Sequence, residues 1–105
     1  MGHYQLKRAS NGQFYFNLKA ENGQVILTSE MYNSKAGVSS VQLNSPYDHN
    51  YDRRMSVRNE PYFVLKAGNN QVIGKSEMYS SHAAMEKGIA SVKKNGPSKE
   101  VRVVP

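Results

Sequence analysis

Apolar and polar residues alternate along the segment from Phe14 to Ala20. Phe14, Phe16, Leu18 and Ala20 share one side, and Tyr15, Asn17 and Lys19 share the other. That period of two predicts a half-buried strand. The same alternation returns at 61–67, where Phe63, Leu65 and Ala67 take the apolar side. Pro61 replaces Phe14, so this first position tolerates a missing N–H and is expected at the periphery. Glu21-Asn22-Gly23 and Gly68-Asn69-Asn70 read as tight turns, because Gly and Asn accept positive φ. A strand follows each turn, Gln24 to about Ser29 and Gln71 to about Ser76. The pairs Val25-Ile26 and Val72-Ile73 predict apolar contacts on both of its faces. An earlier strand near Tyr4–Arg8 precedes the turn Ser10-Asn11-Gly12. Its counterpart is Asp52–Val57, before Arg58-Asn59-Glu60-Pro61.

Helical spacing takes over after the third strand of each set. Ser34 and Ser81 can cap helix starts. Ala83, Ala84, Met85, Ile89 and Val92 then form an apolar stripe, with Lys87, Lys93 and Lys94 on the wetter side. Asn95-Gly96-Pro97 offers a left-handed cap and a stop. The earlier helix has only Ala36, Val38 and Val41 for a stripe and ends at Asn44-Ser45-Pro46, so it depends on docking. Gly37 and Gly88 lower helix propensity; a close approach of helix to sheet would explain them. Val101, Val103 and Val104 alternate after the last helix, as an edge strand or as a tail.

These parallels are a duplication. Residues 15–36 match 62–83 at a constant offset of 47 with 15 of 22 identical, and 37–46 match 88–97 at an offset of 51 with five of ten identical. Ala84–Lys87 have no counterpart in the first copy. Losing four residues removes about one helical turn and keeps the buried face, whereas a strand would lose ~13 Å. The fold class is therefore α+β: tandem strand-strand-strand-helix repeats, an antiparallel sheet with helices, and approximate two-fold symmetry. The division expected is 1–46 for the first repeat and 47–105 for the second with its C-terminal tail. Pro46–Asn50 is a linker too short to separate two cores, so one integrated domain is expected.

Composition narrows the chemistry. The 105 residues contain no cysteine, which excludes disulfides, thiol nucleophiles and Cys-based metal sites. The longest apolar runs, such as Phe14-Tyr15-Phe16, are three residues, far short of a spanning helix. The expected compartment is the cytoplasm, with no membrane partner. Fourteen basic residues against eight acidic ones give +6, without a long block of one sign. That balance favours polyanions weakly and no sequence-specific reader.

Candidate chemistry is sparse. His3, His49 and His82 are scattered, so no metal and no cofactor is expected. No phosphate-cradling glycine loop is present. Ser29-Glu30-Met31-Tyr32 recurs as Ser76-Glu77-Met78-Tyr79, and Glu30 and Glu77 are the acidic residues that recur. In the favoured reading Met and Tyr plug a strand-to-helix corner while Ser and Glu bond the turning backbone. The alternative makes Ser29, Glu30, Tyr32, Ser76, Glu77 and Tyr79 two ligand pockets. Tyr15, Lys19, Tyr62 and Lys66 recur opposite the apolar side, and this face, or else the free edges of the sheet, forms a candidate interaction surface for a protein partner or a second copy. Weak nucleic-acid binding is the other reading. It draws on Arg53, Arg54, Arg58, Lys87, Lys93 and Lys94 for phosphates and on Tyr15, Tyr47, Tyr51 and Tyr62 for stacking.

Phe16-x-Leu18-Lys19-Ala20, Asn22-Gly23-Gln24-Val25-Ile26, Ser29-Glu30-Met31-Tyr32 and Ser34-Lys35-Ala36, with their second copies from Phe63 to Asn95, carry a resemblance across nearly the whole chain. The sequence resembles the small bacterial YegP-like proteins. The resemblance implies a tandem strand-strand-strand-helix protein and supplies no catalytic residue, because that family has no assigned activity. The chain departs from the pattern in its short first helix, in Asn70 at the turn glycine, and in His82 for a lysine. The expectation is a small soluble bacterial protein acting as a non-catalytic interaction or assembly module.

Overall fold

A computed structural model describes residues 1–34 and 37–104. Nine elements follow one another: β1 (His3–Arg8), β2 (Phe14–Lys19), β3 (Val25–Ser29), α1 (Gly37–Asn44), β4 (Tyr51–Met55), β5 (Pro61–Lys66), β6 (Val72–Lys75), α2 (His82–Asn95) and β7 (Val101–Val103). A single 3-10 turn at Asp48–Asn50 leads into β4. The strands form one sheet in the order β4-β5-β6-β3-β2-β1-β7. Neighbours are antiparallel except for β7, which lies parallel to β1. The fold is mixed α+β, in keeping with a strand-strand-strand-helix unit used twice.

Turn chemistry sets the hairpins. Gly23 has φ 82° and Asn70 has φ 71°, so the asparagine occupies the same left-handed position as the glycine. Each turn is closed by matching bonds: Ala20 N–H donates to Gln24 O and Ala67 N–H to Gln71 O, both at 2.9 Å. The earlier hairpin of the second half ends sooner than the sequence predicts. Ser56 N–H donates to Glu60 O and Asn59 takes φ 58°, so the turn begins at Ser56 and leaves Val57 fully exposed instead of in a strand.

The inner sheet face carries Tyr4, Leu6, Phe16, Leu18, Ile26, Leu27, Tyr51, Phe63, Leu65 and Ile73. These join Val38 and Val41 of α1 and Met85, Ile89 and Val92 of α2 in one buried cluster. Ring packing is duplicated inside it. Tyr4 meets Phe16 edge-on at 5.5 Å and Tyr51 meets Phe63 at 5.6 Å; Tyr32 stacks on Phe16 at 6.1 Å and Tyr79 on Phe63 at 6.2 Å. The helices are closed by an exchange. Tyr4 Oη donates to Gly96 O beyond α2, and Tyr51 Oη donates to Ser45 O beyond α1. Each half thus satisfies a carbonyl left without a helical partner in the other.

Four sequence expectations need correction. Phe14 and Pro61 are not peripheral: Phe14 exchanges backbone bonds with Tyr32, and Pro61 is buried with its carbonyl accepting from Tyr79 N–H. Proline is tolerated there because the bridge keeps one bond of the two. Gly96 is right-handed, φ −58°, not a left-handed cap. Glycine is required by space, since a Cβ there would lie 2.0 Å from Ser45 Oγ. Gly37 and Gly88 do mark close approaches, but to the corner tyrosines rather than the sheet: a Cβ would fall 2.5 Å from Tyr32 Cδ2 and 2.2 Å from Tyr79 Oη. Ala83 is exposed, so the buried stripe of α2 starts at Met85.

Ser81 caps α2, its hydroxyl accepting from Ala84 N–H at 3.1 Å. The matching start at Ser34 depends on Lys35 and Ala36, which lie outside the described residues. Gly37–Asn44 align with Gly88–Asn95, so Ala84–Lys87 extend α2 at its N-terminal end, where a helix absorbs them. The C-terminal valines form β7 at the sheet edge, with Val101 and Val103 exposed.

Candidate interaction surface

The helices pack against one face of the sheet, and the strands' other side chains face away from them. Cross-strand pairing lays out that outer face. Across the middle run Asp52, Val64, Lys75, Thr28, Asn17, Gln5 and Arg102, each directly opposite the next. Towards the start of β2, Lys7 is paired with Tyr15; towards the start of β5, Arg54 is paired with Tyr62. Val64 and Asn17 are buried, Asn17 donating from Nδ2 to Thr28 Oγ1 at 2.9 Å.

Tyr15, Lys19, Tyr62 and Lys66 all occupy this outer face, each half-buried. Two cations missing from the sequence-derived set join them. Lys7 Nζ lies 6.0 Å from the Tyr15 ring centre and Lys75 Nζ 5.1 Å from that of Tyr62. Such exposed ring–cation attractions are worth ~0.5–1 kcal/mol. Lys7 could have been found from the repeat, since Arg54 stands 47 residues later with the same strand parity. Lys75 could not, because Thr28 occupies its place in the first copy. Asp52 is the carboxylate on this face among the strand residues. It accepts from Arg54 Nε at 3.0 Å and faces Lys66 Nζ at 3.4 Å. The bond from Arg54, then that from Lys66, holds its carboxyl below the usual range. One carboxylate is thus shared by two cations.

Arg53 and Arg54 do not act together, since alternation sends them to opposite faces. Arg53 turns towards α2, binding Glu86 through Nε at 2.7 Å and Asp48 through Nη2 at 3.0 Å. Lys93 reaches Asp48 at 2.7 Å. The bonds from Lys93 and Arg53 lower the Asp48 carboxyl to about 2. Arg53 and Lys93 are therefore committed to an ion-pair cluster, while Lys87 and Lys94 stay exposed on α2. Tyr51 is buried with its hydroxyl bonded, so it cannot stack a base. Tyr47 lies outside the sheet, beside His49.

The repeated corners are built alike. Ser29 Oγ accepts from Phe16 N–H at 2.9 Å and donates to Glu30 O at 2.8 Å; Ser76 Oγ accepts from Phe63 N–H at 3.0 Å and donates to Glu77 O at 2.8 Å. Both hydroxyls serve the backbone where the strand ends. Tyr32 and Tyr79 fill the space over Gly37 and Gly88. Burial, then the charges of Glu30 and Glu77 respectively, push both phenols up. Met31 and Met78 do not plug the corners but are exposed. The Glu30 and Glu77 side chains are exposed too, and with Thr28, Ser29, Lys75 and Ser76 they line an open depression of about 210 Å³. Among the described residues no three His, Cys, Asp or Glu side chains converge as a metal site, and no helix is long and apolar enough to cross a membrane.

The profile of a family described as a domain of unknown function, DUF1508, matches twice, over residues 9–52 and 56–102. The chain is 58% identical over 106 residues to the UPF0339 protein YegP of Yersinia pestis, covering 97% of this chain and 95% of that one. The chain belongs to this family. The YegP protein of Escherichia coli O157:H7 is 48% identical, with 96% of each chain covered. Two solution structures share the fold. A UPF0339 protein from Shewanella oneidensis superposes with a TM-score of 0.90 at 49% identity, over 97% of this chain and 90% of that one. The E. coli protein of unknown function YegP gives 0.91 at 46%, over 97% and 91%. Fold and family stand together, and the names of these relatives supply no activity.

Proposed function

We propose that this YegP-family protein is a non-catalytic binding module acting in the cytoplasm, with the outer sheet face as its recognition surface. In this reading the two halves form one integrated body. They are related by an approximate two-fold axis through the Thr28–Lys75 pair, whose members occupy matching positions of the duplication. The observation that carries the proposal is the division of labour between the two sheet faces. The inner face and both helices are spent on packing, whereas Lys7, Tyr15 and Lys19 recur as Arg54, Tyr62 and Lys66 on a face that, among the described residues, no helix covers. A small-molecule role at the Ser-Glu-Met-Tyr corners has less support. Their hydroxyls are taken by backbone groups, and the depression beside them is shallow and open.

Partner capture from native lysate, with and without nuclease, tests the assignment of the face. Lys19→Glu with Lys66→Glu is expected to abolish recovery of the partners seen with the parent protein. Lys87→Glu with Lys94→Glu, on α2, is expected to leave recovery intact. The opposite pattern would move the recognition surface to the helical side.

A further inference from the structure

We infer that the occupant of the outer sheet face is a single-stranded nucleic acid, a deepening that rests on the reading of that face as a recognition surface. Three observations converge. The first is charge. Lys7, Lys19, Arg54, Lys66 and Lys75 stand at outer strand positions against Asp52. On the helical side Arg53 and Lys93 are neutralised by Asp48 and Glu86, and Lys87 and Lys94 stay exposed. The outer strand positions thus carry an excess of cations, with Lys7 and Lys19 unpaired among the described residues, Arg54 and Lys66 sharing Asp52, and Lys75 beside Glu30 and Glu77. Such an excess is what a phosphate backbone requires.

The second is the company those charges keep. Each outer tyrosine has a cation directly across the strand, Lys7 for Tyr15 and Arg54 for Tyr62. A ring beside a mobile cation can stack a base while the cation takes the adjacent phosphate. The rings sit on β2 and β5, three strand spacings apart and displaced in opposite directions from the Thr28–Lys75 pair. Strand geometry places them ~20 Å apart on a diagonal. That spacing suits a chain crossing several strands.

The third is what the face lacks. Protein interfaces are depleted in lysine and enriched in methionine and aromatic residues, with an apolar core to the patch. Here the large exposed apolar side chains, among them Met31, Leu43, Tyr47 and Met55, lie off the outer strand positions. A duplex fits poorly, because the face presents two rings on a sheet surface and, among the described residues, no element projecting from it to enter a groove. Unstacked bases fit both the rings and the charge.

Fluorescence anisotropy with labelled oligo(dT) and oligo(U) of about twelve nucleotides, beside a duplex of equal length, tests this. Both single strands are expected to bind more tightly than the duplex. Log affinity should fall against log salt with a slope of about −3, as for roughly four neutralised phosphates. Tyr15→Ala and Tyr62→Ala should each weaken binding about tenfold, with Tyr15→Phe and Tyr62→Phe near the parent. Lys7→Gln and Lys75→Gln should each flatten the salt slope by about 0.7, and Lys87→Gln with Lys94→Gln should leave it unchanged. Thermal melts verify that each variant is folded.

Equal affinity for the duplex, or indifference to the rings, would overturn the inference. Amide shifts on adding heparin separate it from the reading beneath it. If heparin moves β2 and β5 amides while single strands show no ring dependence, the face stands as a recognition surface and the nucleic acid falls. If neither probe moves them, both fall. Sedimentation showing dimers that Tyr15→Ala and Tyr62→Ala dissociate would assign the face to a second copy and likewise overturn the inference.

Discussion

The first and second halves of the chain have diverged unevenly. Positions that place rings against rings or hydroxyls against backbone are identical: Phe16 and Phe63, Tyr32 and Tyr79, Ser29 and Ser76. Some positions where the halves meet are not. Leu27 corresponds to Gly74, and a Cβ at Gly74 would lie 2.8 Å from Leu27 Cδ2. The sites adjoin at the centre of the sheet, where there is room for one large side chain, so the large–small division is imposed by contact between the copies. The helices differ as well, eight residues in α1 against fourteen in α2, yet both end over the same kind of tyrosine-bonded carbonyl. A duplication keeps what each copy needs internally and changes where two copies would collide.

The largest expected effect tests whether the halves are equal partners in one core. Phe16→Ala and Phe63→Ala should each destabilise by about 3–5 kcal/mol, with similar values because both rings are fully buried. Urea unfolding should stay a single transition in each variant; two resolved transitions would break the picture of one cooperative core. Next come the helix glycines. Gly37→Ala and Gly88→Ala should each cost about 1–3 kcal/mol through overpacking against the corner tyrosine. Tyr79→Phe should recover part of the Gly88→Ala loss, because the nearest atom there is the hydroxyl. Tyr32→Phe should recover none of the Gly37→Ala loss, where ring carbons are in the way.

The crossed hydroxyls sharpen the comparison further. Tyr4→Phe and Tyr51→Phe should each cost about 1–2 kcal/mol by leaving a buried carbonyl unpaired. Burial raises both phenols well above their ordinary value of 10.0. The folded state therefore holds their protons where the unfolded chain releases them, and this stability is present below pH 10 and lost as pH rises beyond it. The double variant should show a blunted alkaline transition by circular dichroism. The smallest effect belongs to the turns. Asn70→Gly should stabilise and Gly23→Asn destabilise, each by less than about 1 kcal/mol, because both positions are left-handed.

The alternation of Phe14–Ala20 located β2 and its buried side, and the duplication located β5 without further argument. Helical spacing located α2 and its cap at Ser81. Where reading failed, the missing information was a contact that only the folded backbone brings about. Gly96 looked like a left-handed cap because nothing local shows Ser45 beside it. Arg53 and Tyr51 looked available for binding because strand parity shows neither Glu86 arriving from α2 nor the turn before β4 folding Asp48 and the Ser45 carbonyl back onto them. Met31 and Met78 looked interior because they are apolar, yet the tyrosine beside each had already filled the corner. Of the candidate surface, Tyr15, Lys19, Tyr62 and Lys66 were legible from strand parity. Lys75 was not, for it enters from β6, one strand away from the ring it approaches.

The chain's own order of residues determined two similar units, the side of each strand that would be dry, and the turns between them, because periodicity and φ preference act over a few residues. Only the tertiary structure decided which cations stay free and which are consumed, which glycines make room for a neighbour, and which hydroxyl closes which helix. Those outcomes depend on how elements fold over one another: Tyr4 and Gly96, or Arg53 and Glu86, are tens of positions apart, and even Gly37 and Tyr32 or Tyr51 and Ser45 meet only where the chain turns back on itself.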